Sequence, residues 1–207
     1  MEIQYREGRE DDCQRLAELM NIASGGVLEF LFQDLTPGLT PVQAVARNLR
    51  RDKQPYTFRN ALVAERDGSI LGMALSYASR YHGVTDGMRG FFPADRLKVL
   101  EDFYASRVEE SLYLDTIAVD AASRSHGVGR QLIALVKERA MEKGLESVSL
   151  IAFADNIRAL RLYERLGFQV VKRIRLEADE RIPHEGGCLL LNSAIALDSG
   201  SPSAFLP

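Results

Sequence analysis

Several features are scarce in this sequence, and each scarcity excludes a class of protein. No apolar run among the 207 residues approaches the ~20 residues of a membrane-spanning helix, so we expect no contact with a membrane. Residues 1–6 carry polar and charged side chains without an apolar core, which argues against a secretory signal. Cys13 and Cys188 are too few for a disulfide framework and lack metal-ligand spacing. We therefore expect a cytoplasmic protein with reduced thiols and no metal.

The charge and length narrow the class further. The formal net charge of −3 shows no overall basic character, so nucleic acid is not the expected partner. Hydrophobic residues make up 46% of the chain and charged residues 27%, as in ordinary soluble globular proteins. The length suits one domain with a modest insertion. We expect a single domain over residues 1–198, with an insertion at 79–110, and a mobile tail at 199–207.

Hydrophobic periodicity and turn residues predict an alternation of strands and helices. Asp67-Gly68, between two apolar runs, predicts a hairpin. Thr40 followed by Pro41 predicts a helix start, and Asp155 is expected to cap the last helix. Strands are predicted at 3–6, 61–65, 70–75, 111–119, 147–153, 168–176 and 188–195. Helices are predicted from about residue 10, at 27–35 and 40–51, from Pro93 to about 107, and at 127–143 and 155–167.

The order of these elements predicts the fold class. Strands 111–119 and 147–153 flank a helix, which implies a right-handed parallel crossover. The hairpins add antiparallel strands. The expected fold is therefore of the α/β (α+β) type, with a central mixed sheet and helices on both faces.

A glycine-rich turn, Arg124-Ser125-His126-Gly127-Val128-Gly129-Arg130, lies between a predicted strand and a predicted helix. Glycine lets a ligand approach the backbone closely, and the start of a helix favours an anion. A P-loop would need Gly-Lys-Ser/Thr, which is missing, and a dinucleotide fingerprint would need a third glycine where Leu132 stands. Two interpretations remain: a turn that holds the pyrophosphate of coenzyme A, and a plain strand-to-helix turn.

The residues around this turn resemble the GNAT superfamily of N-acetyltransferases. The matching pieces are Ile117-Ala118-Val119-Asp120, Arg124-x-x-Gly127-x-Gly129, Asn156, and Ala159-x-x-x-Tyr163-Glu164-x-x-Gly167-Phe168. The match covers roughly residues 112–173, and it depends on the order and spacing of the pieces together. The resemblance implies the fold of that family, in which two parallel strands of the central sheet splay apart.

The resemblance also implies acetyl-CoA as the acyl donor and assigns residues to it. In the family, pantetheine lies between the splayed strands and pairs with backbone groups that would otherwise be unsatisfied. The expected cofactor-binding residues are Ile117, Ala118 and Val119 on the strand, Arg124, Ser125, His126, Gly127, Val128, Gly129 and Arg130 at the pyrophosphate, and Asn156 and Tyr163 on the following helix.

Tyr163 is the expected general acid. It lies seven residues after Asn156, which places it about 10 Å further along the same helix. In the family a tyrosine at this place points at the cofactor sulfur, where it can donate a proton to the departing thiolate. The alternative is that Tyr163 is a half-buried residue that packs on the sheet.

The implied reaction is direct transfer of the acetyl group to a primary amine of a small molecule or protein. An alkylamine titrates near ~10.4, so a base should take its proton, and an N–H of Ile117 or a neighbour is expected to stabilise the oxyanion. Asp115 is the candidate base, because alternation places Tyr113, Asp115 and Ile117 on one face of their strand. Asp115 as an ordinary strand residue is the other interpretation. Further candidates for the base are Glu109, Glu110, His82 and an ordered water chain.

The acceptor is left open. Some family members that acetylate protein N-termini carry a glutamate where this chain has Ile151, which argues against that base or that substrate class. Aromatic residues before and within the insertion are expected to supply part of an apolar wall, with core packing as the alternative: Phe30, Phe32, Tyr81, Phe91, Phe92 and Tyr104. Two alternative functions are a non-catalytic coenzyme A-binding sensor and an acyltransferase that uses another acyl-CoA. The resemblance also suggests a homodimer.

Overall fold

The computed structural model describes residues 2–51, 55–177 and 179–195, so the predicted tail at 199–207 lies outside the described residues. One mixed sheet of seven strands forms the centre, in the order β1-β2-β3-β4-β5-β7-β6. The strands are β1 (Gln4–Glu7), β2 (Ala61–Arg66), β3 (Ser69–Ala78), β4 (Leu112–Val119), β5 (Ser147–Phe153), β6 (Gln169–Ile174) and β7 (Cys188–Ala194).

Eight α-helices lie between the strands in the described ranges, together with four short 3₁₀ segments. The α-helices are α1 (Cys13–Ala23), α2 (Val27–Phe32), α3 (Pro41–Arg50), α4 (Asp86–Phe91), α5 (Ala94–Val99), α6 (Glu101–Tyr104), α7 (Val128–Glu142) and α8 (Ile157–Arg165). Side chains of α1 and α3 pack on one face of the sheet, and side chains of α7 and α8 pack on the other. The predicted arrangement of helices on both faces is confirmed. None of the helices in this part of the chain is long and apolar enough to cross a membrane.

Local sequence signals explain several of these elements. Asp67 and Gly68 close the predicted hairpin of β2 and β3, and both have positive φ, at 52° and 74°, as a type I′ turn requires. The helix start at Thr40 is also confirmed. The Thr40 hydroxyl accepts a hydrogen bond from the Gln43 N–H at 3.2 Å, and the Gln43 side chain accepts one from the Thr40 N–H at 2.9 Å.

The insertion between β3 and β4 departs from the prediction. A single helix from Pro93 to about residue 107 is wrong, because the chain leaves the helical conformation at Leu100, with φ −102° and ψ 13°. Leu100 is fully buried and packs with Phe30 and Leu31 of α2. The break thus accompanies a tertiary contact that outweighs the local helix signal. The predicted helix at 27–35 is also shorter, ending at Phe32.

β4 and β5 run parallel but separate soon after they meet. They pair only at Leu112–Val148 and Tyr113–Ser149. β4 continues along β3, and β5 continues along β7, so residues 114–119 and 150–153 face each other without ladder hydrogen bonds. We call this opening the seam. It confirms the splayed parallel strands that the family resemblance implied.

Candidate active site

A cavity of about 1180 Å³ opens through the seam. Residues 114–119 of β4 and 150–153 of β5 form its inner edges, and α2, α3, α4 and α8 contribute walls. Ligand pockets commonly measure ~300–1,000 Å³. The cavity is therefore large enough for a long cofactor together with a second substrate.

Asp115 lies at a bulge in β4. Leu75 and Ser76 are neighbours in β3, but they lie opposite Thr116 and Leu114, so Asp115 is an extra residue in β4. A bulge breaks the ladder locally and re-aims the side chains around it. The bulge occurs two residues beyond the last β4–β5 pair, at the closed end of the seam.

The bulge also corrects the prediction that Tyr113, Asp115 and Ile117 share one face. Leu114 and Ile117 pack in the same hydrophobic cluster beneath α7 and α8, although regular alternation would place them on opposite faces. Tyr113 packs against Tyr77 on the other face, with ring centroids 5.6 Å apart and the ring planes tilted by 55°. The prediction is therefore wrong for Ile117, because the extra residue reverses the alternation after Asp115.

Three hydroxyl groups donate hydrogen bonds to the Asp115 carboxylate. Tyr77 Oη and Tyr56 Oη lie 2.7 and 3.3 Å from Oδ1, and Thr116 Oγ1 lies 2.9 Å from Oδ2. Burial and the Asp115 charge raise the pKa of both tyrosines, so they keep their protons and act as donors. Because a carboxylate can accept about four hydrogen bonds, Asp115 retains capacity for one more donor from the cavity.

The glycine turn has the conformation that its sequence predicts. Gly127 has a φ of 81° and Ser125 a φ of 69°, both in the left-handed region, and α7 begins directly afterwards. Arg124 Nε donates to the Val119 carbonyl at 3.1 Å, and Arg158 donates to Ser125 Oγ at 3.2 Å. The turn is thus fixed against both β4 and α8, with the start of a helix at the cavity wall.

Nearly all of the predicted cofactor-binding residues line the cavity. These are Ile117, Ala118, Val119, Arg124, Ser125, Gly127, Val128, Gly129, Arg130, Asn156 and Tyr163. His126 does not line it. Its Nδ1–H donates to the Arg124 carbonyl at 2.9 Å on the exposed side of the turn, so its side chain supports the turn from outside.

The charges on the cavity wall are strongly unequal. Within the ranges that the structure describes, one carboxylate, that of Asp115, lines the cavity together with six arginines. The arginines are Arg47 and Arg51 on and after α3, Arg124 and Arg130 at the glycine turn, and Arg158 and Arg165 on α8. Guanidinium groups bind phosphate oxygens well. Arg124 and Arg130 of the turn, together with Arg158, which hydrogen-bonds to Ser125, therefore make that end of the cavity suitable for a polyphosphate.

Asn156, rather than Asp155, caps α8. Asn156 Oδ1 accepts a hydrogen bond from the Ala159 N–H at 3.3 Å, and the residue lines the cavity. Asp155 instead accepts hydrogen bonds from His184 Nδ1 at 2.8 Å and from the Glu185 N–H at 3.0 Å. The predicted cap at Asp155 is therefore wrong, because the loop before β7 occupies its carboxylate.

Tyr163 lies on α8 and is 7% exposed. Its ring packs 5.8 Å from the ring of Phe168, and its side chain lines the cavity. Burial raises the pKa of Tyr163 to about 12, so the phenol keeps its proton at neutral pH. Within the described chain no other side chain or backbone group hydrogen-bonds its hydroxyl. The hydroxyl is therefore an uncommitted proton donor on the α8 side of the seam.

The other candidate bases are less well placed. His82 is 2% exposed and does not line the cavity. Its Nε2–H donates to the Phe103 carbonyl at 3.1 Å, and burial lowers the pKa of the imidazole, which favours the neutral form. Glu109 is exposed and paired with Arg107 at 2.7 Å, and Glu110 is exposed beside it. These two carboxylates belong to a solvated loop outside the cavity.

Five of the six predicted wall aromatics line the cavity: Phe32, Tyr81, Phe91, Phe92 and Tyr104. Phe30 does not, because it is 1% exposed and packs in the core with Leu100 and Ile182. The sequence interpretation missed Tyr56 and Tyr77. Strict alternation along β3 would have placed Tyr77 on the same face of the sheet as Met73. Tyr56 lies in a loop, where no periodic pattern indicates its position.

Comparison with known proteins assigns the chain to a protein family. It belongs to the acetyltransferase (GNAT) family, whose model matches residues 28–168. The chain is similar to N-alpha-acetyltransferase 40 of Saccharomyces cerevisiae, with 44% identity over 132 residues, covering 59% of this chain and 46% of that protein. The chain spans less than half the length of the curated relatives it matches.

Solved structures confirm the predicted fold. An N-acetyltransferase from Staphylococcus aureus Mu50 superimposes with a TM-score of 0.66 at 19% identity, over 93% of this chain and 100% of that one. The PaiA N-acetyltransferase from Thermoplasma acidophilum, solved in complex with coenzyme A, superimposes with a TM-score of 0.54 at 13% identity, over 94% of this chain and 100% of that one. At these identities the likeness supports the fold alone.

Proposed function

We propose that the protein is an N-acetyltransferase that moves the acetyl group of acetyl-CoA directly to a primary amine. One observation carries this proposal: a single cavity passes through the seam and joins the arginine-lined glycine turn to the Tyr163 hydroxyl and the Asp115 carboxylate. Acetyl-CoA needs an anion site for its phosphates, hydrogen-bonding backbone for its pantetheine, and a proton donor at its sulfur. The arginines, the unpaired strand edge and the Tyr163 phenol on the cavity wall support these three roles.

The donor side would bind acetyl-CoA along β4. The unpaired edge at 114–119 suits the amide groups of pantetheine, because backbone groups without partners are costly when buried. The backbone of Ile117, Ala118 and Val119 would pair with the pantetheine arm. The turn from Arg124 to Arg130 would hold the pyrophosphate, and the amide nitrogen of Asn156 would donate to the arm.

The chemistry would proceed by direct attack. The acceptor ammonium loses one proton to solvent, with Asp115 or water as the first acceptor, and the neutral nitrogen attacks the acetyl carbonyl carbon. The C–S bond then breaks with its electron pair on sulfur, and the thiolate takes the Tyr163 hydroxyl proton. The second nitrogen proton replaces it on the phenol oxygen. One proton in total passes to solvent, and the products are the amide and free coenzyme A.

The order of the last two proton movements follows from acidity. A thiol has an ordinary pKa of ~8.5, whereas burial raises the pKa of Tyr163 to about 12. A free phenolate would therefore be an unfavourable product. Proton donation to sulfur must therefore accompany the return of the nitrogen proton to Tyr163, either directly or through water.

Acetyl transfer is tested with purified protein, acetyl-CoA and a panel of primary amines, by following thiol release and the acetylated product by mass spectrometry. The expected result is release of one thiol per amide formed. Binding of acetyl-CoA without transfer to any amine would instead indicate a coenzyme A-binding sensor. Turnover with succinyl-CoA or a longer acyl-CoA, but not with acetyl-CoA, would indicate another acyltransferase.

A further inference from the structure

The acceptor end of the cavity specifies a class of amine. Resting on the proposed function, we propose that the acceptor is a monocationic primary amine on a neutral apolar or aromatic body, with its ammonium bound to Asp115. The body would lie against the apolar wall formed by α2 and the insertion. Three observations carry this inference: the environment of Asp115, the charges of the cavity, and the fixed position of the wall.

Asp115 is held in one position and is reachable from the cavity. Hydroxyls of Tyr77, Tyr56 and Thr116 fix both carboxylate oxygens. A carboxylate immobilised in this way loses little side-chain entropy when it binds an ammonium group. Tyr77 and Tyr113 lie on the face of the sheet opposite the α7–α8 cluster that contains Tyr163. An amine bound at Asp115 would therefore approach the seam from the side opposite the proposed acid.

The charges of the cavity select the number of cationic groups on the acceptor. Asp115 is the single carboxylate that lines the cavity within the described ranges, and the other charged side chains on its described wall, Arg47 and Arg51 among them, are arginines. A polyamine or a lysine-rich peptide would bring additional positive charges into a cavity whose described wall offers arginines and no carboxylate besides Asp115. Like charges at short range are repulsive. One ammonium group is the charge that this wall accommodates.

The wall itself is apolar and anchored. Phe32 of α2 contacts Phe92 and Phe91 of the insertion, with ring centroids 5.0 and 6.1 Å apart. Arg96 of α5 donates to the backbone carbonyls of Leu31 and Gln33, both at 2.9 Å. The insertion is thus tied to α2 by hydrogen bonds as well as by ring contacts, and it presents a preformed aromatic surface to the cavity. Such a surface binds an apolar body without a large ordering cost.

The test compares kcat/KM for four amines. The probes are 2-phenylethylamine, a neutral peptide with an N-terminal phenylalanine, spermidine, and a lysine-rich peptide with a blocked N-terminus. The expected result is that one of the first two exceeds both polycations by at least about tenfold. Preference for 2-phenylethylamine identifies a small-molecule acceptor, and preference for the neutral peptide identifies an N-terminal acceptor. Preference for spermidine or the lysine-rich peptide overturns the inference and leaves the proposed function standing.

Two variants locate the subsite. Asp115→Asn should raise the KM of the preferred amine by at least about tenfold, because a charge-assisted hydrogen bond is lost, while the Kd of acetyl-CoA is unchanged. Asp102→Asn in α6 removes the same charge from an exposed carboxylate outside the cavity and serves as the control. Phe91→Ala, at a side chain that is 48% exposed, should lower the preference for 2-phenylethylamine over ethylamine without unfolding the protein.

The outcomes separate the inference from the proposed function. An unchanged amine KM in a folded Asp115→Asn protein overturns the assignment of Asp115. If that variant does not fold, an unchanged preference in Phe91→Ala overturns the assignment of the wall. If wild-type protein binds acetyl-CoA but acetylates neither these four amines nor any other amine of the panel, the proposed function fails and the inference fails with it.

Discussion

Removing the Tyr163 hydroxyl should abolish most catalysis and cost almost no stability. In Tyr163→Phe the ring remains, and with it the packing against Phe168 at 5.8 Å. The lost hydroxyl has no hydrogen-bond partner in the described part of the protein. The free energy of unfolding should therefore change by less than ~1 kcal/mol, because no intramolecular hydrogen bond is broken.

The expected loss of activity is much larger. A positioned general acid contributes ~10²–10⁴-fold to a rate, so kcat of Tyr163→Phe should fall by at least ~100-fold, or ~2.7 kcal/mol of transition-state stabilisation. The Kd of acetyl-CoA should stay within about twofold of the wild-type value, since the phosphates and pantetheine would be held elsewhere. The effect should therefore be confined to kcat.

Three measurements check this prediction: kcat from thiol release with a saturating amine, the Kd of acetyl-CoA by calorimetry, and the free energy of unfolding in urea. Tyr5→Phe is the matched control, because Tyr5 in β1 loses the same hydroxyl outside the cavity. A kcat within about threefold of wild type would refute the role of Tyr163 as the acid. A loss of stability above ~2 kcal/mol would show instead that the hydroxyl is structural.

Further expectations follow from the glycine turn, the pH range and the thiols. In Gly129→Ala the new methyl would lie no closer than 3.6 Å to side chains outside its own helix, so stability should be unchanged or rise by ~0.5–1 kcal/mol. Calorimetry should nevertheless show weaker acetyl-CoA binding, and unchanged binding would contradict a close approach of the pyrophosphate. Burial raises the pKa of Tyr163 to about 12, so kcat should not fall through loss of this proton between pH 7 and pH 10; a basic limb that disappears in Tyr163→Phe would contradict this assignment. Burial also raises the pKa of Cys13 to about 11 and that of Cys188 to about 12, so a thiol reagent at pH 8 should modify neither cysteine before unfolding, and rapid labelling of the native protein would contradict it.

Local signals in the sequence predicted the elements whose geometry is decided within a few residues. Asp67-Gly68 adopts positive φ without support from distant residues, and the hydrogen bonds of Thr40 and Gln43 close within one helical turn. The turn from Arg124 to Arg130 is similar, because Gly127 provides the positive φ before α7. The seam was predictable only through family resemblance, since no residue of β4 or β5 signals the point where two parallel strands part.

Features that depend on distant contacts were not predictable from pattern. The break at Leu100 accompanies packing on α2, and the capping role of Asn156 goes with a loop that occupies the Asp155 carboxylate. The bulge at Asp115 depends on how β4 pairs with β3. Alternation along β4 alone therefore predicted the wrong face for Ile117. The cytoplasmic location and the homodimer stay predictions.

Amide hydrogen exchange with and without acetyl-CoA tests most directly whether the seam is the cofactor site. We predict that saturating acetyl-CoA slows exchange in peptides that cover residues 114–119 and the turn at 124–130, because the cofactor would pair with their free N–H groups. Peptides from β1 and β2, which already have ladder partners outside the seam, should be unaffected. Protection confined to other parts of the protein, or none at all, would contradict the proposed site.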